Sequence, residues 1–143
     1  MGSSQCKAGH TMTDERSRVT GIGGVFFKAH DQQGLAAWYR QHLGIPIEDP
    51  GYAVFSWREE EQPERSGSTV WSIFPEDTTY FAPSTSPFMI NFRVANLDAM
   101  LAALRAEGVE VDDRIEEYEH GRFAWIMDPE GNRIELWEPA GEG

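Results

Sequence analysis

The segment Gly121–Pro139, GRFAWIMDPEGNRIELWEP, reads as two strands joined by a tight reversal. In Asp128-Pro129-Glu130-Gly131-Asn132, the proline presets φ and the glycine supplies a place where φ > 0 costs little, so the chain turns back on itself. Before the turn, Phe123, Trp125 and Met127 alternate with Arg122, Ala124 and Ile126. After it, Arg133, Glu135 and Trp137 alternate with Ile134, Leu136 and Glu138. Period two on both flanks of a turn predicts a β-hairpin. Glu135 is the residue to explain. An acid facing inward from such a strand must meet a partner, a ligand or a proton, because burying an unpaired charge is costly.

The same grammar recurs on the way back toward the N-terminus. Phe88–Val94 (FMINFRV) predicts a strand. Asn96 or Asp98 then caps a helix whose apolar face is Leu97, Leu101 and Leu104, and Gly108 ends it. Val109–Val111 and Ile115–Tyr118 lead into the hairpin. Earlier, Gly23–Ala29 predicts a strand, and Asp31 caps a helix in which Leu35, Trp38, Tyr39, His42 and Leu43 recur at helical spacing up to Gly44. A short strand at Ile45–Ile47 and longer ones at Gly51–Trp57 and Thr69–Phe74 follow, with a charged turn, Arg58–Arg65, between the last two.

Each half thus runs strand, helix, three strands, which is an internal duplication by pattern. The expected organisation is an N-terminal flexible arm (1–18), a first βαβββ module (19–74), a Pro-containing connector (75–87), a second βαβββ module (88–139) and a tail (140–143). One such unit exposes an apolar sheet face that it cannot bury alone; two copies, within one chain or across a dimer, solve this. The fold class is α+β.

A chain of 143 residues with 40% hydrophobic and 12% aromatic residues is long and apolar enough for a packed core. The formal net charge of −12 disfavours nucleic-acid backbones and anionic membranes as partners. Cys6 is the single cysteine, so no intrachain disulfide and no cysteine-based zinc site is expected. The polar start shows no signal peptide and no apolar run approaches a membrane span, so the cytoplasm is the expected location.

The segments WYRQHLGIPIE (38–48), FRVANLDAMLAALRAEGVEV (92–111) and DPEGNRIELWEP (128–139) resemble the vicinal oxygen chelate superfamily of glyoxalases, bleomycin-resistance proteins and extradiol dioxygenases. The resemblance covers almost everything from Gly23 to Pro139. It implies two βαβββ modules forming a concave mixed sheet with helices on the outer face, and a homodimer. In the superfamily's metalloenzymes it also implies a divalent ion held by the first and last strand of each module. At those positions this chain has Gly24, Met89, Glu135 and, within one residue, Trp71. Only Glu135 is an ordinary ligand for a hard divalent ion. His10 lies in the arm, His30 at a strand end, His42 on a helix, and His120 reads as a surface loop residue. No metal and no cofactor is therefore expected.

If Met89 and Glu135 face the cavity, alternation brings Asn91 and Arg93 beside Met89, and Arg133 and Trp137 beside Glu135. Phe26, Lys28, Thr69, Trp71 and Ile73 would join them from the first module. Phe123, Trp125, Phe55 and Trp57 would pack against the helices. The candidate ligand-binding residues are Trp71, Asn91, Arg93, Trp137, Lys28 and Phe26, and the candidate catalytic residue is Glu135. Glu135 has two readings: a ligand anchor or general base, or a carboxylate that an arginine neutralises. Two functions stay open. One is metal-independent binding of a flat or cationic small molecule. The other is a lyase, isomerase or dioxygenase-type enzyme using Glu135 as base or within an unusual metal site.

Overall fold

The computed structural model describes residues 18–58 and 66–140. The expected arm falls outside them except for Arg18, which pairs with Glu107 at 2.7 Å; most of the charged turn and the last residues of the tail also fall outside. Seven strands and two helices follow one another as β1 (Val19–Ala29), α1 (Gln32–Leu43), β2 (Tyr52–Arg58), β3 (Ser66–Pro75), β4 (Phe88–Val94), α2 (Leu97–Ala106), β5 (Glu110–Tyr118), β6 (Gly121–Met127) and β7 (Arg133–Pro139).

Both helices start and stop where local chemistry dictates. Asp31 accepts from the Gly34 amide at 3.0 Å and Asn96 from the Ala99 amide at 3.0 Å, satisfying amides that have no intrahelical partner. Gly44 ends α1 in the left-handed region at φ 68°, which a side chain would resist. In the hairpin, Asp128 accepts from the Glu130 and Asn132 amides, each at 2.9 Å, and Gly131 takes φ 85°.

The strands form one mixed sheet in the order β2-β3-β1-β4-β7-β6-β5. The halves join within the chain through the antiparallel pair β1–β4, while β1–β3 and β4–β7 are parallel. Both helices lie on one face. α2 buries Leu97, Met100, Leu101 and Leu104 against Val94, Ala124, Ile126 and Leu136. α1 buries Ala36 against Ala29, Ile47, Ala53 and Ile73, with Phe27, Tyr39 and Trp71 beside them.

One expectation is corrected here. Ile45–Ile47 is not a strand: Ile47 is buried under α1, and the only pairing nearby is an isolated bridge from Glu48 to Tyr52. Pro46 has no amide to donate to a ladder, and the core takes the residue after it. The first half is therefore βαββ. In the second half the segments Val109–Val111 and Ile115–Tyr118 lead into one strand, β5, with a register shift between Val111 and Ile115, so three strands follow α2 as expected.

Removing side chains from these two cores tests the layering. Leu101→Ala is expected to cost about 2–5 kcal/mol of stability by denaturant unfolding, as for other buried leucines. Trp71→Ala is expected to cost about 3 kcal/mol, the lower end for an aromatic truncation because the ring is only partly buried. A destabilisation of Trp71→Ala below about 1 kcal/mol would contradict its place beneath α1.

Candidate functional site

The other face of the sheet is concave, and register decides what it carries. Pairing sets Val70 beside Gly24, Gly24 beside Asn91, Asn91 beside Glu135, and Glu135 beside Trp125. Directly opposed residues share a face, so this is one continuous row across the middle of the sheet.

Glu135 is 2% exposed and its carboxyl accepts three side-chain hydrogen bonds. Asn91 Nδ2 donates to Oε1 at 2.6 Å. Trp125 Nε1 donates to Oε2 at 3.0 Å, and the Tyr80 hydroxyl donates to the same oxygen. Burial pushes the Glu135 carboxyl above the ordinary glutamate range, against the opposing pull of these three donors and of Arg133. The Tyr80 phenol is raised as well, first by burial and then by the adjacent Glu135 charge. Arg133 lies over the Trp125 ring at 5.0 Å and pairs with Asp112 at 3.6 Å; its burial lowers the guanidinium pKa.

Tyr80 comes from the segment between β3 and β4, which folds over one end of the concave face. Phe81 is fully buried there with Phe26, Met89 and Trp125. Tyr80 stacks on Phe74 at 5.7 Å with an interplanar angle of 8°. The aromatic pair Tyr80-Phe81 within a polar stretch is the signal in the sequence that marks this lid-like cover.

Beside that cover the face stays open as a cavity of about 1290 Å³. Phe26, Asn91, Arg93, Glu135 and Trp137 line it, as expected, together with Val70, Ser72, Phe74, Tyr80 and Phe123. The Arg93 guanidinium lies over the Trp137 ring at 5.4 Å and over the Trp57 ring at 5.3 Å. Trp137 is in turn parallel to Phe123, with centroids 6.0 Å apart and planes at 2°. Both indole N–H groups are already used: Trp57 donates to Thr69 Oγ1 at 2.8 Å and Trp137 to the His120 carbonyl at 3.0 Å. Glycines make the room. A Cβ on Gly23 would come within 2.2 Å of Asn91 Oδ1, and one on Gly67 within 2.4 Å of the Trp57 ring.

Several expected positions are corrected. Trp71 faces α1, not the cavity, while Ile73 borders the cavity and also packs in the helix-side core. The expected register was one residue out: Val70, Ser72 and Phe74 take the concave face, and a slip of one residue reverses every side chain. Thr69, on the Trp71 parity, is spent on Trp57 and the Ile22 carbonyl. Lys28 lies over the Phe81 ring at 5.4 Å, under the cover and outside the open cavity. Phe123 and Trp125 do not pack against the helices, because Trp125 pairs with Glu135 and so shares its face. Phe55 is exposed, and Trp57 packs over Gly67 and Gly21 toward Arg93. The side chains that hydrogen-bond Glu135 are Asn91, Trp125 and Tyr80.

The divalent ion implied by the fold does not fit these residues. The central row offers Val70, Gly24 and Asn91 beside Glu135, and Met89 is sealed under Phe81. Three N–H and O–H groups point at the Glu135 carboxyl, where a cation would need lone pairs from neighbouring ligands. Among the described residues no group of three His, Cys, Asp or Glu side chains is placed to hold a metal. His30 pairs with Glu76 at 3.0 Å, His42 lies against Trp38, and His120 sits at the cavity rim.

Known structures share this architecture. Methylmalonyl-CoA epimerase from Streptomyces coelicolor superposes with a TM-score of 0.63 at 22% identity, over 87% of this chain and 100% of that one. The epimerase from Mycobacterium tuberculosis gives 0.55 at 24% identity, over 92% and 95%. The Mn(II)-bound glyoxalase from Novosphingobium aromaticivorans gives 0.53 at 18% identity, over 89% of this chain and 41% of that one. At these identities the likeness is one of fold. No curated protein matches the sequence. A family of glyoxalase-like domains matches residues 24–137, which span the whole sheet from β1 into β7; the chain belongs to that family and, through it, to the vicinal oxygen chelate superfamily.

Proposed function

We propose that this protein binds a flat small molecule in its concave cavity without a metal ion. One observation carries the reading: the single carboxylate of the central row, Glu135, has its oxygens taken up by Tyr80, Asn91 and Trp125. What faces the open cavity is aromatic wall with a few convergent polar groups, the usual make-up of a small-molecule site. Trp137 and Phe123 offer ring faces for stacking.

A second reading is favoured by the raised pKa of Glu135. Tyr80 reaches from Glu135 to the cavity and is 39% exposed, so the pair could pass a proton to or from a bound substrate in an isomerase or lyase. Among the described residues no helix is long and apolar enough to cross a membrane. A cytoplasmic homodimer completes the proposal. β2 is an edge strand carrying Val54 at 50% and Phe55 at 44% exposure, which supports association there. A monomer mass by light scattering at micromolar concentration would overturn the dimer.

Tryptophan-fluorescence titration with flat aromatic compounds is expected to give the same affinity before and after EDTA treatment. Affinity that disappears with EDTA and returns with Mn(II) or Zn(II) would refute metal independence. Glu135→Ala strands two buried donors, Asn91 and Trp125, and is expected to cost about 2–6 kcal/mol, from about 1–3 for each unsatisfied group.

Glu135→Gln keeps the shape and is expected to leave binding within about twofold, whereas a general base would lose turnover with binding unchanged. The pH dependence has a definite sign. The folded pKa of Glu135 lies above its unfolded value of 4.5, so its protonated form stabilises the fold below that pH, and this contribution is lost as pH rises through the folded pKa. Wild-type stability relative to Glu135→Gln is therefore expected to fall as pH is raised from about 4. A difference that grows with pH would contradict the burial of this carboxyl.

A further inference from the structure

We infer that the cavity takes a neutral ligand of two parts: a flat ring system lying along Trp137 and Phe123, and a hydroxyl-rich, sugar-like group meeting Ser56 and Ser68. The inference rests on the proposed binding role of the cavity and gives its ligand a chemistry. It follows from which polar groups of the lining still lack a partner. Gln32 donates to the Ile73 carbonyl, the Tyr52 hydroxyl to Glu48, and the Trp137 indole to the His120 carbonyl. The Tyr80 hydroxyl is spent on Glu135. Besides His120 at the rim, the neutral lining groups without a hydrogen-bond partner among the described residues are the hydroxyls of Ser56, Ser68 and Ser72 and the side-chain oxygen of Asn91.

Register separates two kinds of wall. Ser56 faces Ser68 across the β2–β3 pair, and Phe123 faces Trp137 across the β6–β7 pair. All four line the cavity. Neighbouring strands lie about 4.8 Å apart, so Ser68 on β3 and Trp137 on β7, three strands along, are about 14 Å apart over the sheet. An aromatic bicycle joined to one sugar ring is about that long. Between the two ends stands Gly23, where a Cβ would come within 2.8 Å of Trp137 Cε3 and 2.2 Å of Asn91 Oδ1, so no side chain rises to divide the walls. Asn91 is 2% exposed, and its Oδ1 is a buried acceptor without a donor at this joint. Such an atom is a cost to the fold, and a ligand hydroxyl that reaches it removes the cost.

Charge favours neither sign of ligand. Arg93 is packed against two indoles, and Glu119 and Glu135 share the lining with it. A serine hydroxyl both donates and accepts, as does every hydroxyl of a sugar, so the two match in either sense; a carboxylate only accepts. Size agrees with a ligand of two parts. At about 1290 Å³ the cavity exceeds what a bare ring system fills, since drug-sized molecules occupy sites of about 300–1,000 Å³.

The test compares 2-naphthyl β-D-glucopyranoside with 2-methoxynaphthalene, which share the ring system and differ in the sugar, by isothermal titration calorimetry of the full chain. The glucoside is expected to bind at least about tenfold more tightly, the size of effect for one or two net hydrogen bonds. Replacing both serines, Ser56→Ala with Ser68→Ala, is expected to lower that ratio at least about threefold. Both probes are measured on the same variant, so a partial loss of fold lowers both alike. The anionic 2-naphthyl β-D-glucuronide is expected to bind no more tightly than the glucoside. Equal affinity of glucoside and methoxynaphthalene, a ratio unchanged in the double variant, or tighter binding of the glucuronide overturns the neutral sugar-like assignment and leaves the binding cavity standing. Binding of none of the probes, with EDTA or with Mn(II), overturns the binding role and this inference with it.

Discussion

A carboxyl group at 2% exposure in the middle of a sheet is the constraint around which this fold is arranged. Burying such a group unpaired costs several kcal/mol, more than half of what many domains have as total stability. Each hydrogen bond to a charged acceptor returns about 1.5–3 kcal/mol, so three of them offset part of the penalty, and burial still raises the carboxyl's pKa. They come from three separate segments: Asn91 on β4, Trp125 on β6 and Tyr80 in the connector. The carboxyl thereby ties the central strands together and draws the connector onto the concave face.

That draw divides the concave surface. Phe81 follows Tyr80 under the cover and seals Phe26, Met89 and Trp125 into a third apolar cluster. What the cover does not reach remains a cavity, floored by Asn91 and walled by Arg93, Trp137 and Phe123. The two halves of the chain contribute unequally. The parallel pairs put Val70 in the first half where Glu135 stands in the second. An apolar residue in one half and a hydrogen-bonded acid in the other leave the two parallel pairs without matching ligand side chains.

Much of the local structure was legible because it depends on near neighbours. Asp31 and Gly44 frame α1, and Asn96 starts α2, through contacts within one turn of helix. Asp128 and Gly131 make the hairpin, and the strands on either side of it follow from alternation. Ile45–Ile47 is ambiguous in sequence, because three apolar residues after a helix suit a short strand and a buried loop equally well. Tyr80 and Phe81 carry no signal of their role in a stretch that is otherwise polar: only the burial of Phe81 against β1, β4 and β6 and the Tyr80 bond to Glu135 give them one.

The sequence by itself determined the order of elements, the helix ends, the alternation along each strand and the anomaly at Glu135. It also determined that Arg93, Asn91 and Trp137 share faces with the residues two positions away, since that is a property of any extended chain. Only the tertiary structure decided which face is which across the sheet. Alternation relates residues within one strand, whereas register between strands is set by long-range pairing, and a shift of one residue carries Trp71 from the cavity to the helix side. For the same reason the partners of Glu135 were beyond reach of the sequence: Tyr80 and Asn91 lie 55 and 44 residues away along the chain and meet it only through the packing of the sheet.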